Sequence, residues 1–515
     1  PSHPWRTLSV LPHALVLRRT VTSATNMPHL LALTAALLHL HDASGFHAAP
    51  LRGGTLLPSK MMRTTTSKMA ADEKYDVVVI GSGPVGSTFA RCLSASGEAF
   101  GDLNGGKKVL MVDAGKKMSE KTGEHIKNSL LYQSDHAEGK RLFSQLIAGT
   151  IEKISKPWTG SSIDNINPTA NQPGCNQEPK KRYKKWNMNL QNPDQEQYYN
   201  LPEAAVSYKV GGMGAHWTCS CPRPHPELEM NALFPSDGLY TMAEDLLNVN
   251  QNTYDDEIRN VLVGDRLKET IDKELDPKYP SQYLPLAVKR VNDQYVDWTG
   301  PSVILGDKLA EAAKDDPNFT LKQETICKKL HFSDDGKTVE YAELFNPKTG
   351  ETTKVYADTF VASCGQVHTA QLLAASGFEN DANGRYLCTQ PMYFTRLAFG
   401  TDLIKRIKAK TGKRFNDVIN AWQEKNPHDP IPIPRNGKGS GEVQCWIPVQ
   451  KDRPWHCQIH NDNFYYGTNT SPIDDRLVVG LRWFAVPKMS EENRVTFTAP
   501  DNADGYFDMM GMPQR

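Results

Sequence analysis

The stretch "KYDVVVIGSGPVGSTFARCLSASG", Lys74 to Gly97, leaves this chain few choices of fold. A β-branched run (Val77, Val78, Val79, Ile80) passes directly into Gly81-x-Gly83-x-x-Gly86 and then an amphipathic helical pattern. Gly81 permits the tight turn, Gly83 lets a pyrophosphate approach the backbone, and Gly86 lets helix and strand pack closely. The helix start offers unsatisfied N–H groups and a positive dipole end to the phosphates. A second strand, "KKVLMVDAG", ends in Asp113, whose carboxylate can accept both ribose hydroxyls and would repel a 2′-phosphate. The intervening "EAFGDLNGGKK" reads as a solvated lengthening of the helix-to-strand loop. Together these predict a dinucleotide site, without separating FAD from NAD.

At 515 residues the chain exceeds one core and predicts two or more packed units. Its 59 basic and 59 acidic side chains balance, which argues against nucleic acid or an anionic membrane as partner. The Lys/Arg cluster beside Tyr183 and Trp186 lacks the extended basic groove that single strands need. Nine scattered cysteines include one close pair, Cys219 and Cys221, without the second pair of a zinc site. They read as reduced, small buried residues, and no metal is expected.

Residues 1–71 read as an upstream or targeting leader. From Met27 the run "MPHLLALTAALLHL" holds an apolar stretch too short to span a bilayer, and it ends in small residues of the kind cut by signal peptidases. The following "FHAAPLRGGTLLPSKMMRTTTSKMAA" carries Arg, Lys, Ser and Thr with no acid before Asp72, which is transit-peptide composition. Signal plus transit, with Phe46 at the junction, resembles the two-part leader of proteins sent to complex plastids. Plain secretion is the alternative. So is a start at Met61, Met62 or Met69, which gives a cytoplasmic protein.

The segment "VGGMGAHWTCSCP", Val210 to Pro222, sets small residues before His216-Trp217-Thr218. By itself a buried His-Trp pair is more often packed core than ligand. The segment resembles the flavin-attachment segment of the pyranose 2-oxidase family, within the glucose–methanol–choline (GMC) oxidoreductases. The resemblance implies FAD bonded through His216 at its 8α-methyl carbon. Gly211 and Gly212 would let the backbone lie close to the ring, and the Thr218 hydroxyl would stand near the flavin N5 and O4 edge. That gives Thr218 a catalytic role and makes Gly81, Gly83, Gly86, Asp113, Gly211, Gly212, His216 and Thr218 cofactor-binding.

The resemblance continues along most of the chain after residue 72. "ETICKKL" matches the strand whose Cys327 packs near the adenine, and "YADTFVASCGQVHTAQLLAASGF" the strand–glycine–helix that returns to the dinucleotide fold, with His368 structural. "DPIPIP", from Asp429, and "PWHCQIHNDNFYYG", from Pro454, also recur; the latter resembles a mobile substrate loop. It implies Gln458 and Asp462 as sugar hydroxyl partners, Phe464 and Tyr466 as aromatic cover, and Arg482 of "LRWFAVPKMSEENRVTF" in the sugar pocket. Alternation places His456 and His460 on one strand face.

Two departures stand out. Gly214-Ala215 replaces the family's Ser-Thr before the flavin-linked histidine. The family's catalytic His and Asn segments lie beyond its Met-Pro-Gln, whereas here no histidine follows His460. On this reading the chain is C-terminally incomplete, and activity of these 515 residues alone is in question.

The expected fold class is α/β: a GMC-type FAD-binding Rossmann-like domain from discontinuous segments, plus a mixed-sheet α+β substrate domain. Residues 72–378 form the first, with a surface arm about 140–200 and insertions about 236–300; 379–515 form the second. The expected function is FAD-dependent oxidation of a pyranose such as glucose at C2, by hydride transfer to flavin N5, with oxygen or a quinone as electron acceptor. A C3-specific glycoside oxidase or a sugar dehydrogenase is the alternative. A non-enzymatic alternative is a catalytically dead truncated flavoprotein or binding partner. The resemblance also implies a homo-oligomer, a tetramer in the family.

Overall fold

The computed structural model describes residues 10–18, 73–98, 105–128, 151–153, 205–229, 237–254, 264–311, 316–388, 392–400, 415–434, 445–461 and 474–495, apart from a few positions within those spans, together with residues 133 and 405. The β-branched run lies in strand β1 (Glu73–Ile80), which turns at the glycines into helix α1 (Pro84–Leu93) and returns as β2 (Val109–Val112). Strand β3 (Phe319–Lys322) pairs parallel with β2. The hairpin β4 (Ile326–Phe332) and β5 (Val339–Asn346) leads antiparallel into the long β6 (Glu351–Ala362). The far half of β6 lies parallel to β1, so four parallel strands run in the order β6-β1-β2-β3 before helix α2 (Gln366–Ala375).

Both faces of this sheet are covered, which explains its unbroken apolar strands. Val77, Val79, Val109 and Met111 point to one side, where they meet Phe89 and Ala90 of α1 with Leu305 and Leu309. Val78, Ile80, Leu110 and Val112 point to the other and meet Leu372 and Leu373 of α2. Phe89 is wholly buried; cutting it to Ala would cost about 3–5 kcal/mol. Residues Leu15–Arg18, within the segment read as a leader, pair antiparallel with Thr359–Ala362 at the edge of this sheet.

Helix Asp237–Leu247 and a three-stranded sheet (Val249–Asn250, Leu286–Asn292, Tyr295–Trp298) enclose a core of Tyr240, Leu247, Tyr254, Leu286, Val288 and Trp298. Gln282–Tyr283 adds an edge to a five-stranded sheet formed otherwise by β7 (Met392–Ala398), β8 (Cys445–Ile447), β9 (Trp455–Asn461) and β10 (Val478–Ala485). Its order is β7-β10-β9-β8 and then Gln282–Tyr283. Every described pairing in this sheet is antiparallel. The β8-to-β9 connection, residues 448–454, is too short for the crossover that a parallel neighbour requires.

Arg476 fastens this unit to the "DPIPIP" segment. Its guanidinium, almost wholly buried, forks onto both carboxylate oxygens of Asp429 at 2.8 and 3.0 Å and also reaches Asp474 and the Ile433 carbonyl. Trp422 adds its indole N–H to Asp429 at 3.0 Å.

Candidate active site

At the glycine turn, sterics dictate sequence. A methyl group on Gly86 would run into the Gly81 carbonyl and come within 2.8 Å of Ser363 Oγ, so α1 can start here only with glycine. Around Gly83, by contrast, the space a Cβ would fill is open. Pro84 opens the helix without an N–H, and the next two amides, of Val85 and Gly86, precede the first helical bond, which Ser87 makes to the Gly83 carbonyl at 2.9 Å. An open glycine before unsatisfied helical amides is a cradle for a phosphate.

Asp113, at the end of β2, is tied to that turn. Its Oδ2 accepts the Ser82 amide at 3.0 Å and the Ser82 hydroxyl at 2.6 Å, and its Oδ1 accepts the Gly115 amide at 2.7 Å. Burial raises its pKa, and these three bonds offset only part of that rise. The Ser82 hydroxyl also accepts the Gly211 amide at 2.8 Å, which joins the glycine turn to the segment before His216.

That segment rests on the start of α1. Gly211 has φ +99°, a left-handed value that a side chain would strain, and a single 3-10 turn, Gly212–Ala215, follows. A Cβ on Gly214 would stand 2.7 Å from Pro84 Cγ, so a glycine here lets the turn sit directly on the helix. His216 is 8% exposed, and its Nε2 lies 3.0 Å from the Ser207 hydroxyl. Trp217 donates its indole N–H to the Thr299 carbonyl at 2.7 Å. Thr218 is half-buried, and Cys219 immediately after it carries φ +59°. Such backbone costs of order 1–3 kcal/mol, and it persists where the surroundings hold it; here the Cys219 carbonyl accepts the Ala287 amide at 2.7 Å.

Groups the sequence did not signal complete the support. His125 is buried; its Nδ1 accepts the Lys127 amide at 3.1 Å, so the proton sits on Nε2 and is donated to the Trp217 carbonyl at 2.9 Å. Burial, with repulsion from Lys127 and Lys209, holds this imidazole well below its ordinary pKa, so it is a neutral strut. Lys127 lays its ammonium 3.8 Å from the Trp298 ring centroid. Lys209, 2% exposed, is pushed down to about 8 by burial.

Cys327 and Cys364 lie beside this site as half-buried thiols, both raised chiefly by burial; Cys364 Sγ is 3.4 Å from the Ile80 carbonyl. His368 pairs with the Tyr208 hydroxyl at 3.0 Å and, held to about 4 by burial, is no base at neutral pH. Tyr208 packs near Ala114 and Ile326.

The C-terminal sheet turns a defined face toward this segment. Trp446, Gln458 and Arg482 are register partners across β8, β9 and β10 and therefore share one face. Trp446 belongs to the same core as Cys219, Cys221 and Trp298, with Trp217 packed against it. The alternate residues Cys445, Ile447, Cys457 and Ile459 instead form a core with Leu267, Ile419 and Ile431. Gln458 and Arg482, 5% and 8% exposed, thus lie on the side that adjoins the His216 segment. His456 shares that face, with its ring held between Trp446 and Phe484 at centroid distances of 5.9 and 4.7 Å. Burial holds it to about 4, so it does not serve as a base at neutral pH. Asp462, Phe464 and Tyr466 lie outside the described residues.

No family model matches the chain. It is 35% identical over 449 residues to a pyranose 2-oxidase of Tricholoma matsutake, covering 85% of this chain and 74% of the relative. A pyranose 2-oxidase of Emericella nidulans is 33% identical over 471 residues, covering 86% and 73%. A C-glycoside 3-oxidase of Microbacterium trichothecenolyticum is 28% identical over 452 residues, covering 85% and 75%. A solved Aspergillus oryzae formate oxidase aligns with a TM-score of 0.49 at 12% identity, over 86% of this chain and 80% of that one.

Proposed function

The chain belongs to the pyranose 2-oxidase family, and on that premise we propose that it oxidises a pyranose such as glucose at C2, with oxygen or a quinone taking the electrons. It is an FAD-dependent sugar oxidoreductase. The observation that carries the finer reading is the placement of Gln458 and Arg482 on the sheet face whose Trp446 packs with Cys219 and Cys221, next to His216-Trp217-Thr218.

FAD fits the residues present. The open space at Gly83 and the first amides of α1 would hold the pyrophosphate, and Asp113 would take the ribose hydroxyls. His216 would tether the isoalloxazine covalently, and the Thr218 hydroxyl would stand beside its reactive edge. Bound FAD supplies a two-electron acceptor for the hydride that leaves the sugar carbon.

The protein's own groups bind and orient the sugar; oxidation must also deliver the hydroxyl proton to a base, and among the described residues His125, His368 and His456 do not take it. Gln458 and Arg482 orient the sugar by hydrogen bonds to its hydroxyls, in a site desolvated enough for those bonds to select one ring carbon. Asp462, Phe464 and Tyr466 would complete the cover. His125, through the Trp217 carbonyl, keeps His216 and Thr218 in place without exchanging protons itself.

A second reading, oxidation at C3 of a glycoside, is favoured by the C-glycoside 3-oxidases at 28–29% identity. Both readings are tested together by incubating the flavin-loaded protein with 13C-glucose and with a C-glycoside. A 2-ketosugar supports C2 oxidation, a 3-keto product supports the second reading, and neither product under oxygen or benzoquinone contradicts both.

A further inference from the structure

The buried contact between His456 and Gln458 has no part in the assignments above. The two residues are two apart on β9 and therefore on the same face, both 5% exposed, with Gln458 Nε2 and His456 Nε2 3.2 Å apart. A carboxamide NH2 group donates and does not accept, so in this contact the imidazole nitrogen must be the acceptor and the ring proton must sit on Nδ1. The ring cannot readily turn away: Phe484, its register partner on β10, lies tilted against it, and Trp446 meets it edge-on from β8.

We propose that His456 is a positioning residue of the sugar site, whose imidazole fixes which end of the Gln458 carboxamide faces the substrate. A carboxamide is nearly symmetric in shape, yet one end donates and the other accepts. Turning it over inverts the hydrogen bond it offers to a hydroxyl. With one N–H donated to His456, the Gln458 carboxamide is held one way round, so its second N–H and its carbonyl oxygen keep fixed places toward a sugar hydroxyl. Because burial holds the imidazole to about 4, that arrangement is the same across the neutral range. The inference rests on the sugar-binding reading of Gln458.

Anaerobic reduction of the bound flavin by glucose and by its monodeoxy analogues gives the sugar dissociation constant and the limiting reduction rate separately, and is measured for wild type, Gln458→Leu, His456→Phe and the double variant. Phenylalanine keeps the ring packing and removes the acceptor. Wild type is expected to bind one deoxy analogue about tenfold more weakly than glucose. Gln458→Leu and His456→Phe should each abolish that preference, and the double variant should be no worse than either single. Restoring an acceptor with His456→Gln should recover part of it.

If His456→Phe weakens every sugar equally and its effect adds to that of Gln458→Leu, the residue only packs and the proposal fails. If Gln458→Leu keeps the full preference, the sugar-binding reading of Gln458 fails instead. Should His456→Phe not fold, 15N-histidine NMR of the wild-type protein decides: Nε2 of His456 unprotonated above pH 5 supports the proposal, and Nε2 protonated overturns it.

Discussion

The Ser82 hydroxyl donates to Asp113 at 2.6 Å while accepting the Gly211 amide at 2.8 Å, so one side chain couples the nucleotide turn to the segment that carries His216. Removing it leaves a buried amide unpaired, at about 1–3 kcal/mol. Ser82→Ala should therefore lower stability by about 2 kcal/mol in urea unfolding and weaken FAD binding as well. If stability and flavin affinity both stay at wild-type level, the coupling is not made through this hydroxyl.

Gly83 and Gly86 should respond in opposite ways. The space beside Gly83 is open, so Gly83→Ala should fold normally and lose at least about tenfold in FAD affinity, because its methyl occupies the phosphate approach. Gly86→Ala collides with the Gly81 carbonyl and should lower the unfolding temperature of the flavin-free protein as well. Differential scanning fluorimetry with and without FAD separates the two. Equal effects would contradict the cradle.

Lys209 carries a cost that can be relieved. Its folded-state pKa, about 8, lies below the unfolded value near 10.4, so the unfolded chain binds the proton more tightly. The penalty is complete below pH 8 and fades as pH rises toward 10.4. Lys209→Met should raise the unfolding midpoint at pH 7 by several degrees, with the gain shrinking in alkaline buffer. A pH-independent gain would assign the effect to packing instead.

Asp429 has the opposite sign. The Arg476 guanidinium beside it holds its carboxyl to about 2, below the unfolded value of about 3.9. Its contribution is present above pH 4 and is lost as pH falls toward 2. The stability difference between wild type and Asp429→Asn, followed by urea unfolding, should narrow over that window. A constant difference would remove Arg476 as the cause.

These residues also mark how far the chain could be read unaided. The glycine turn was legible because its three constraints are steric and local, and Asp113 because it ends the next strand. Ser82 was not, since it occupies a variable position of the motif and its partners Asp113 and Gly211 come from distant sequence. His125 shows the same limit: its bond to the Trp217 carbonyl spans 92 positions, and nothing in "GEHIKN" marks the histidine. Strand alternation showed that His456 and His460 share a face, but which face adjoins His216 depends on the register that brings Trp446 opposite Gln458. The assignment of His216 itself came from resemblance, because a His-Trp pair in a core has no distinguishing pattern.

The central claim is that His216 holds FAD covalently, and denatured intact mass with peptide mapping tests it most directly. The account predicts that acid-denatured wild-type protein retains the mass of one FAD relative to His216→Ala, with the increment on the peptide containing His216. Identical flavin content in both denatured proteins, or an increment on another residue, would contradict it.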